Sequence, residues 1–229
     1  MSSALKIISS IATSAVLAEL CAQYRQASGQ AVSAETAGGV DIARRVEAGE
    51  AVDVVVLAAN VIDQLIDKGK LVAGSRVDLA RSGVAVAVRA GAARPDIGSE
   101  DAVRRAVLAA RKLAYSTGPS GIYLEKLFAR WGIADEIRAR LVVAPPGTPV
   151  GTLLARGEAE LGFQQLSELI HLPGIDLLGP LPAGIQLMTT FSAGLSVTSR
   201  RADAARALLA FMNAPAAEAV KRRHGMQPA

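Results

Sequence analysis

Four short stretches of the sequence combine hydroxyl, amide and glycine residues where a strand-like run gives way to a helix-like one. Such places can hold an anion without a cationic side chain, because helix N-termini present free N–H groups and partial positive charge. In open α/β sheets, ligands bind beyond the carboxyl ends of the strands, next to these helix starts. The four stretches are therefore candidate loops for binding a small anion.

The first loop is residues 9–14 (Ser-Ser-Ile-Ala-Thr-Ser), which leaves the first predicted strand and opens the first predicted helix. Its backbone amides and the hydroxyls of Ser10 and Thr13 could all point at an anion. The alternative is that Ser14 caps the helix and the other hydroxyls face water. The sequence leaves these two interpretations open.

A glycine pair and an amide pair mark two more loops. Gly38 and Gly39 follow the second predicted strand, where they would let the backbone approach a ligand closely or would only make a tight turn. Gln164 and Gln165 follow Phe163 at the predicted end of a later strand. The NH₂ group of a glutamine can orient an oxyanion or a carboxylate. The alternative is a pair of surface amides.

The loop at residues 115–121 (Tyr-Ser-Thr-Gly-Pro-Ser-Gly) is the most informative of the four. It lies between a predicted strand and a predicted helix, and Pro119 suits a first helical turn. The loop lacks the Gly-Lys-Ser/Thr ending of a phosphate-binding loop, which argues against a nucleotide triphosphatase. We favour ligand binding over plain helix capping, with the candidate residues Ser116, Thr117, Ser120 and Gly121.

No catalytic residue can be assigned from the sequence. Asp53 and Glu168 are candidate carboxylates by position only, and we expect Asp53 to cap or form a salt bridge near a strand start. His171 and His224 lie far apart, and neither shares a helix with a second ligand-type residue, which argues against zinc. We expect neither a metal nor a cofactor.

Strands and helices alternate from the start of the chain. The apolar runs Leu5–Ser9, Ala31–Glu35 and Asp53–Leu57 are separated by segments of helical periodicity, which predicts a parallel sheet with right-handed crossovers. A further strand at Gly83–Arg89 begins a second series, and Gln186–Thr198 is long and strand-like. We predict two doubly wound lobes joined by two crossing strands. The predicted first lobe is residues 1–84 and 192–229, and the second is residues 85–191.

Composition excludes several classes of protein. The 229 residues carry a net charge of +4, yet Lys and Arg are scattered and form no basic stripe interleaved with aromatic residues. This argues against nucleic-acid binding and suits an anionic ligand. Cys21 is the single cysteine, so no intrachain disulfide can form, and its place on an apolar helix face predicts a buried small hydrophobe. We expect a monomer.

The sequence does not fix the compartment. No apolar run approaches the length of a membrane span, and Met1–Lys6 lacks the features of a signal peptide. We expect a periplasmic protein if a signal peptide has been removed, and a cytoplasmic protein otherwise.

Several motifs in a fixed order resemble those of periplasmic molybdate-binding proteins, the type 2 solute-binding proteins of ABC transporters. The resemblance covers nearly the whole chain and implies two lobes that close by a hinge on a tetrahedral oxyanion held by neutral donors. The motifs are Ala22–Gly29, Gly38-Gly39, Ile42–Gly49, Val52–Val54, Leu65–Gly69 and Leu154–Gly162.

Three positions depart from that family pattern. The family's serine in the first loop corresponds to Ala12, its serine after the second loop's glycine corresponds to Gly39, and its tyrosine near Phe163 corresponds to Gln165. The stretches 161–169 and 179–186 look more like a divergent branch of the family that is similar to aconitate isomerase. That branch implies a tricarboxylate ligand and cofactor-free proton transfer between carbons next to carboxylates.

These observations lead to three functional hypotheses. The first is a substrate-binding protein that holds a small oxyanion or a di- or tricarboxylate in the cleft between two lobes and serves an ABC transporter permease. The second is an isomerase of the aconitate type on the same scaffold. The third is a ligand-sensing module that is not exported.

Overall fold

A computed structural model of the chain describes residues 4–145 and 147–229, and strands alternate with helices along most of this length. Met1–Ser3, part of the segment that lacks signal-peptide features, lie outside the described residues, and so does Pro146. In the described ranges, no helix is both long enough and apolar enough to cross a membrane.

The elements are numbered in chain order. The strands are β1 (Leu5–Ser10), β2 (Val32–Ala37), β3 (Val54–Ala58), β4 (Val77–Arg89), β5 (Leu113–Tyr115), β6 (Leu141–Val143), β7 (Leu161–Gln165), β8 (Ile175–Pro180), β9 (Met188–Leu195) and β10 (Gln227–Pro228). The helices are α1 (Ser14–Ser28), α2 (Gly39–Glu47), α3 (Ala59–Asp67), α4 (Glu100–Ala109), α5 (Pro119–Arg130), α6 (Ala134–Ile137), α7 (Val150–Ala155), α8 (Leu166–Leu169), α9 (Ala202–Met212) and α10 (Glu218–Arg223).

The chain divides into two compact units. One continues to Ser82 and resumes at Thr189, and the other is Gly83–Met188. The two boundaries fall inside β4 and β9, so these two strands carry the chain from one unit to the other. We call them the first and the second unit.

In the first unit, β1 pairs in parallel with β2 and β3, β3 pairs antiparallel with β9, and β10 pairs with the start of β4. Strand β3 is buried on both faces, because successive side chains of a strand point to opposite sides. Val54 and Val56 pack into a core with α1, α9 and α10, whereas Val55 and Leu57 pack into a core with α2 and α3. Helices on both faces explain the continuous apolar run.

The second unit repeats this plan. Strand β5 pairs in parallel with β6 and β7, and β4 pairs antiparallel with β7 and β8. Along β4, Val84 and Val86 pack against α4 and α5, whereas Ala85 and Ala87 pack against α7 and α8. The predicted α/β class with helices on both faces of each sheet is confirmed.

Several predicted boundaries differ from the structure, and the differences at β4 and β7 are the most informative. Strand β4 begins at Val77 rather than Gly83, because its first half pairs with β10 through Arg81. Strand β7 continues to Gln165, which pairs with Val84. The amide pair therefore lies inside the strand and not after it.

Candidate anion-binding loops and a buried carboxyl group

The first two candidate loops, residues 9–14 and 36–39, lie together at the carboxyl ends of strands in the first unit's sheet. In the parallel register, Ser9 is opposite Thr36 and Ser10 is opposite Ala37, so β1 and β2 end side by side. On the other side of β1, Ser9 is opposite Val56 of β3. Both loops therefore start at the carboxyl ends of neighbouring strands, as the sequence predicts.

Gly39 brings backbone close to the first loop. A Cβ placed on Gly39 would lie 4.0 Å from Cβ of Ser10 and 3.7 Å from Cδ2 of Leu57, which are ordinary contacts. Gly39 does not have a positive φ, so no backbone strain calls for glycine there. The start of α2 therefore lies beside Ser10.

Ser10 buries a hydroxyl group that has no hydrogen-bond partner among the described residues. Its carbonyl oxygen accepts a 3.0 Å hydrogen bond from Thr13 Oγ1, so the Thr13 hydroxyl donates inside the loop. Ala12 is buried and offers only its backbone. A buried hydroxyl without a partner costs about 1–3 kcal/mol, and a native protein seldom carries one without a reason.

In the second unit, the carboxyl ends of β5 and β7 also lie side by side, because Tyr115 pairs in parallel with Phe163. The first turn of α5 presses against the loop that follows β5. A Cβ on Gly121 would lie only 1.6 Å from the carbonyl oxygen of Ser116, so no other residue fits at position 121 without moving backbone. The absence of a side chain at Gly121 therefore allows the start of α5 to pack directly against the loop.

Ser120 is the counterpart of Ser10 in the second unit. It is 1% exposed, and its Oγ has no hydrogen-bond partner among residues 4–145 and 147–229. Ser116 Oγ accepts a 3.4 Å bond from the amide of Gly118, and Thr117 is exposed. The Ser120 hydroxyl thus lies in the first turn of a twelve-residue helix, where free amides attract anions.

Gln164 and Gln165 are both buried, so the alternative of a surface amide pair is wrong. Gln164 uses both ends of its amide inside the protein. Its Oε1 accepts a 2.8 Å bond from the amide of Val150 at the start of α7, and its Nε2 donates a 2.7 Å bond to Oε1 of Glu168. The Gln164 side chain is therefore engaged within the protein, where it orients Glu168.

Glu168 is a half-buried carboxyl group in α8, just after the carboxyl end of β7. Burial raises its pKa to about 7, although hydrogen bonds from the Gln164 side chain and the Gln165 amide oppose this shift by favouring the charged form. A carboxyl group with this pKa gains and loses protons readily near neutral pH. The sequence indicated Glu168 only by position, since nothing in its neighbours' identities shows that it is buried.

Asp53 has a structural role, as expected. Its carboxylate accepts hydrogen bonds from the amide of Lys6 (2.8 Å), Ser199 Oγ (2.7 Å) and Arg201 Nη2 (2.5 Å). Burial opposes its ionisation, but these three bonds outweigh that effect and lower the pKa of Asp53. It precedes β3 and so lies at the opposite end of that strand from the candidate loops.

Cys21 lies in the core cluster with α1, and burial raises the pKa of its thiol to about 11. A thiol with that pKa is protonated at neutral pH, and only the thiolate is a good nucleophile. The expectation of a buried small hydrophobe is confirmed.

Comparison with known proteins places these features in a family. A family profile described as "Bacterial extracellular solute-binding protein" matches residues 5–227. Aconitate isomerase from a Pseudomonas species is 36% identical over 230 residues, which cover 98% of this chain and 87% of that protein.

Two solved structures share the fold at low sequence identity. The periplasmic molybdate-binding protein of Azotobacter vinelandii has a TM-score of 0.81 at 22% identity, over 98% of this chain and 99% of that one. A tungstate-binding protein of Desulfovibrio alaskensis G20 has a TM-score of 0.71 at 16% identity, over 100% and 99% of the two chains. The predicted type 2 periplasmic-binding-protein-like fold is confirmed by these likenesses.

Proposed function

This chain belongs to the family of bacterial extracellular solute-binding proteins, and we propose that it binds a small anion through neutral donors at its helix starts. The anion is an oxyanion or a di- or tricarboxylate. The observation that carries this proposal is the pair of buried hydroxyls on Ser10 and Ser120, which have no partner among the described residues. Each lies where a parallel strand gives way to a helix start.

A bound anion would offset the free-energy cost of burying these two hydroxyls without hydrogen bonds. A hydroxyl cut off from both water and protein has lost its hydrogen bonds, and an anionic oxygen in contact with it restores one. The first-turn amides of α2 and of α5, other than Pro119, which has no N–H, would add donors with the favourable sign of the helix dipole. None of the eleven candidate residues is charged, so binding would rely on these neutral dipoles.

Transport is the setting that the family supports. We propose that the protein works outside the cytoplasm, in keeping with a family described as extracellular, and delivers its ligand to an ABC transporter permease. The molybdate- and tungstate-binding structural neighbours support the anionic character of the ligand.

A second candidate function is isomerisation of a tricarboxylate. It is favoured by the aconitate isomerase relative, which is 36% identical over nearly the whole chain, and by Glu168, whose pKa of about 7 suits proton transfer. Binding of the anion is common to both candidates, since an isomerase must also hold its substrate.

The test of the main proposal is a ligand screen by melting temperature with molybdate, tungstate, sulfate, phosphate, citrate and aconitate. A ligand at about a hundred times its dissociation constant should raise the free energy of unfolding by about 2.7 kcal/mol. We expect at least one of these six anions to produce such a shift. If none of them does at millimolar concentration, the proposal is wrong.

The variant Ser120→Ala connects the screen to the structure. Removing a buried hydroxyl that has no protein partner should leave the ligand-free protein as stable as before or slightly more stable. Affinity for the anion should nevertheless fall roughly ten-fold, because a hydrogen bond to a charged group contributes about 1.5–3 kcal/mol. Ser33→Ala, on the exposed part of β2, is the matched control and should change neither quantity.

A further inference from the structure

Glu168 follows a strand that ends beside the candidate loop at residues 115–121. It follows β7 directly, and β7 runs parallel to β5, whose end at Tyr115 leads into the loop that contains Ser120. Oε1 of Glu168 accepts a 2.7 Å hydrogen bond from Nε2 of Gln164. Gln164 is itself held by a hydrogen bond from the amide of Val150. The carboxyl group is therefore oriented by protein groups before any ligand arrives.

We propose that Glu168 is the general base that moves a proton between two carbon atoms of a bound tricarboxylate, with Gln164 as its positioning residue. This inference rests on the second candidate function above. The second unit has the parts that proton transfer requires: a carboxyl group, a donor that fixes its orientation, and, in the first turn of α5, the Ser120 hydroxyl to hold a substrate carboxylate.

Electrostatics support the role of Glu168. Desolvation by burial raises its pKa to about 7, so both protonation states are populated at neutral pH. The base form can take a proton, and the acid form that results can return one. A group with an unshifted carboxyl pKa would be a much weaker base for a carbon acid.

The reaction balances without any cofactor. In the propene tricarboxylate aconitate, the Glu168 carboxylate removes a proton from the methylene carbon. The electron pair of that C–H bond forms a new double bond to the central carbon, and the electrons of the old double bond take up the proton from Glu168 at the former vinyl carbon. The two end carbons carry the same substituents, so this shift exchanges the cis and trans isomers with no net gain or loss of atoms.

Other carboxylates fit this role less well. Asp53 is fixed by three hydrogen bonds at the opposite end of β3. Asp41 lies beside Gly38 in the first unit, where its Oδ2 is 3.6 Å from the position of a Gly38 Cβ, but it forms an exposed salt bridge with Arg44 at 2.7 Å. A carboxylate that is paired with a guanidinium in solvent is a poor acceptor for a proton from carbon.

The test uses the full chain with the variants Glu168→Gln and Glu168→Asp, and with Glu136→Gln on an exposed helix surface as the control. Proton NMR follows the ratio of cis- to trans-aconitate and the uptake of deuterium from D₂O into the methylene group. Calorimetry measures the affinity for trans-aconitate separately. Circular dichroism checks that each variant is folded, which we expect of Glu168→Gln because a glutamine oxygen can still accept both hydrogen bonds.

The expected result separates chemistry from binding. Glu168→Gln should lose at least a hundred-fold in isomerisation rate, since general acid–base catalysis contributes about 10²–10⁴-fold, while its affinity stays within about three-fold. Glu136→Gln should match the unchanged protein. Should Glu168→Gln fail to fold, Glu168→Asp tests the same point, because its shorter carboxylate should slow the reaction and keep the affinity.

Three outcomes would contradict the proposal in distinguishable ways. If Glu168→Gln isomerises aconitate at the full rate, Glu168 is not the base. If Glu168→Gln does not fold, full activity of a folded Glu168→Asp leads to the same conclusion. If the unchanged protein binds aconitate but neither isomerises it nor incorporates deuterium, the inference fails while anion binding stands. If calorimetry shows no binding of any anion from the ligand screen, the proposed function fails together with the inference.

Discussion

Glu168 shows how a single side chain changes character with its surroundings. The same carboxyl group in water would be ionised at neutral pH, whereas burial at the end of β7 raises its pKa to about 7. The Gln164 amide and the Gln165 N–H limit the shift, because both donate to the carboxylate and so favour its charged form. The chemistry of Glu168 therefore depends on burial and on two hydrogen-bond donors that lie three and four positions earlier in the chain.

The raised pKa of Glu168 has a consequence for stability. The folded protein holds this proton more tightly than the unfolded chain, so the stabilisation is complete below pH 4.5 and is lost as the pH rises through about 7. Glu168→Gln removes this dependence. We expect the variant to be more stable than the unchanged protein at pH 8, by on the order of 2 kcal/mol, and equally stable near pH 4.5. Urea denaturation at the two pH values measures this difference, and equal effects at both would show that Glu168 is not desolvated.

A prediction at Gly121 depends on steric packing rather than on ionisation. Gly121→Ala places a methyl group 1.6 Å from the carbonyl oxygen of Ser116, so α5 or the loop must move. We expect a loss of about 3 kcal/mol in the free energy of unfolding, at the upper end of overpacking costs. Gly184→Ala is the matched control, because a Cβ there meets nothing within 4 Å. Thermal denaturation compares the two, and similar melting temperatures would contradict the close approach of α5.

At the scale of elements, the sequence predicts most of the fold because apolar periodicity reports burial. The run Asp53–Leu57 predicts a strand buried on both faces, and the structure has β3 at Val54–Ala58 with alternate side chains in two cores. Gly29 predicts the end of α1, and it is the left-handed residue directly after that helix.

The candidate loops could be predicted as positions, but their internal bonding could not. Serines at strand ends are visible in the sequence, yet nothing in it shows that Ser10 and Ser120 are buried while Thr117 is exposed. The extension of β7 through Gln165 was also missed, because it depends on pairing with Val84, far away in the sequence. Long-range pairing decides such boundaries, and local patterns do not report it.

The start of α9 is tied to β1 and β3 by one ion pair. Arg201, the residue before α9, binds Asp53 at 2.5 Å and the carbonyl oxygen of Ala4 at 2.7 Å. Asp53→Asn would leave the guanidinium without its countercharge and weaken the bond to the Lys6 amide. We expect a loss of about 3–5 kcal/mol in the free energy of unfolding, as is usual when one partner of a buried pair is removed.

The control for this prediction is Asp203→Asn, since the fully exposed pair of Asp203 with Arg206 should contribute less than about 1 kcal/mol. Chemical denaturation of both variants gives the comparison. If the two lose similar stability, the Asp53 network does not hold α9 in place.

At the scale of the whole molecule, the two units use one plan twice. Each has parallel strands between two layers of helices, and each buries a serine hydroxyl without a protein partner among the described residues where a helix begins. In each unit, the serine that the proposed function uses lies on an element whose position is set by a large apolar core. Such support favours binding groups that are placed before the ligand arrives.

The hydroxyl of Ser120 also bears on attempts to engineer this protein. Selection for heat resistance alone would favour alanine at that position, since the empty molecule gains from losing an unsatisfied oxygen. A library selected only for stability at high temperature should therefore become enriched in thermostable variants with weakened affinity for the anion. Sorting with the anion present would reverse that enrichment.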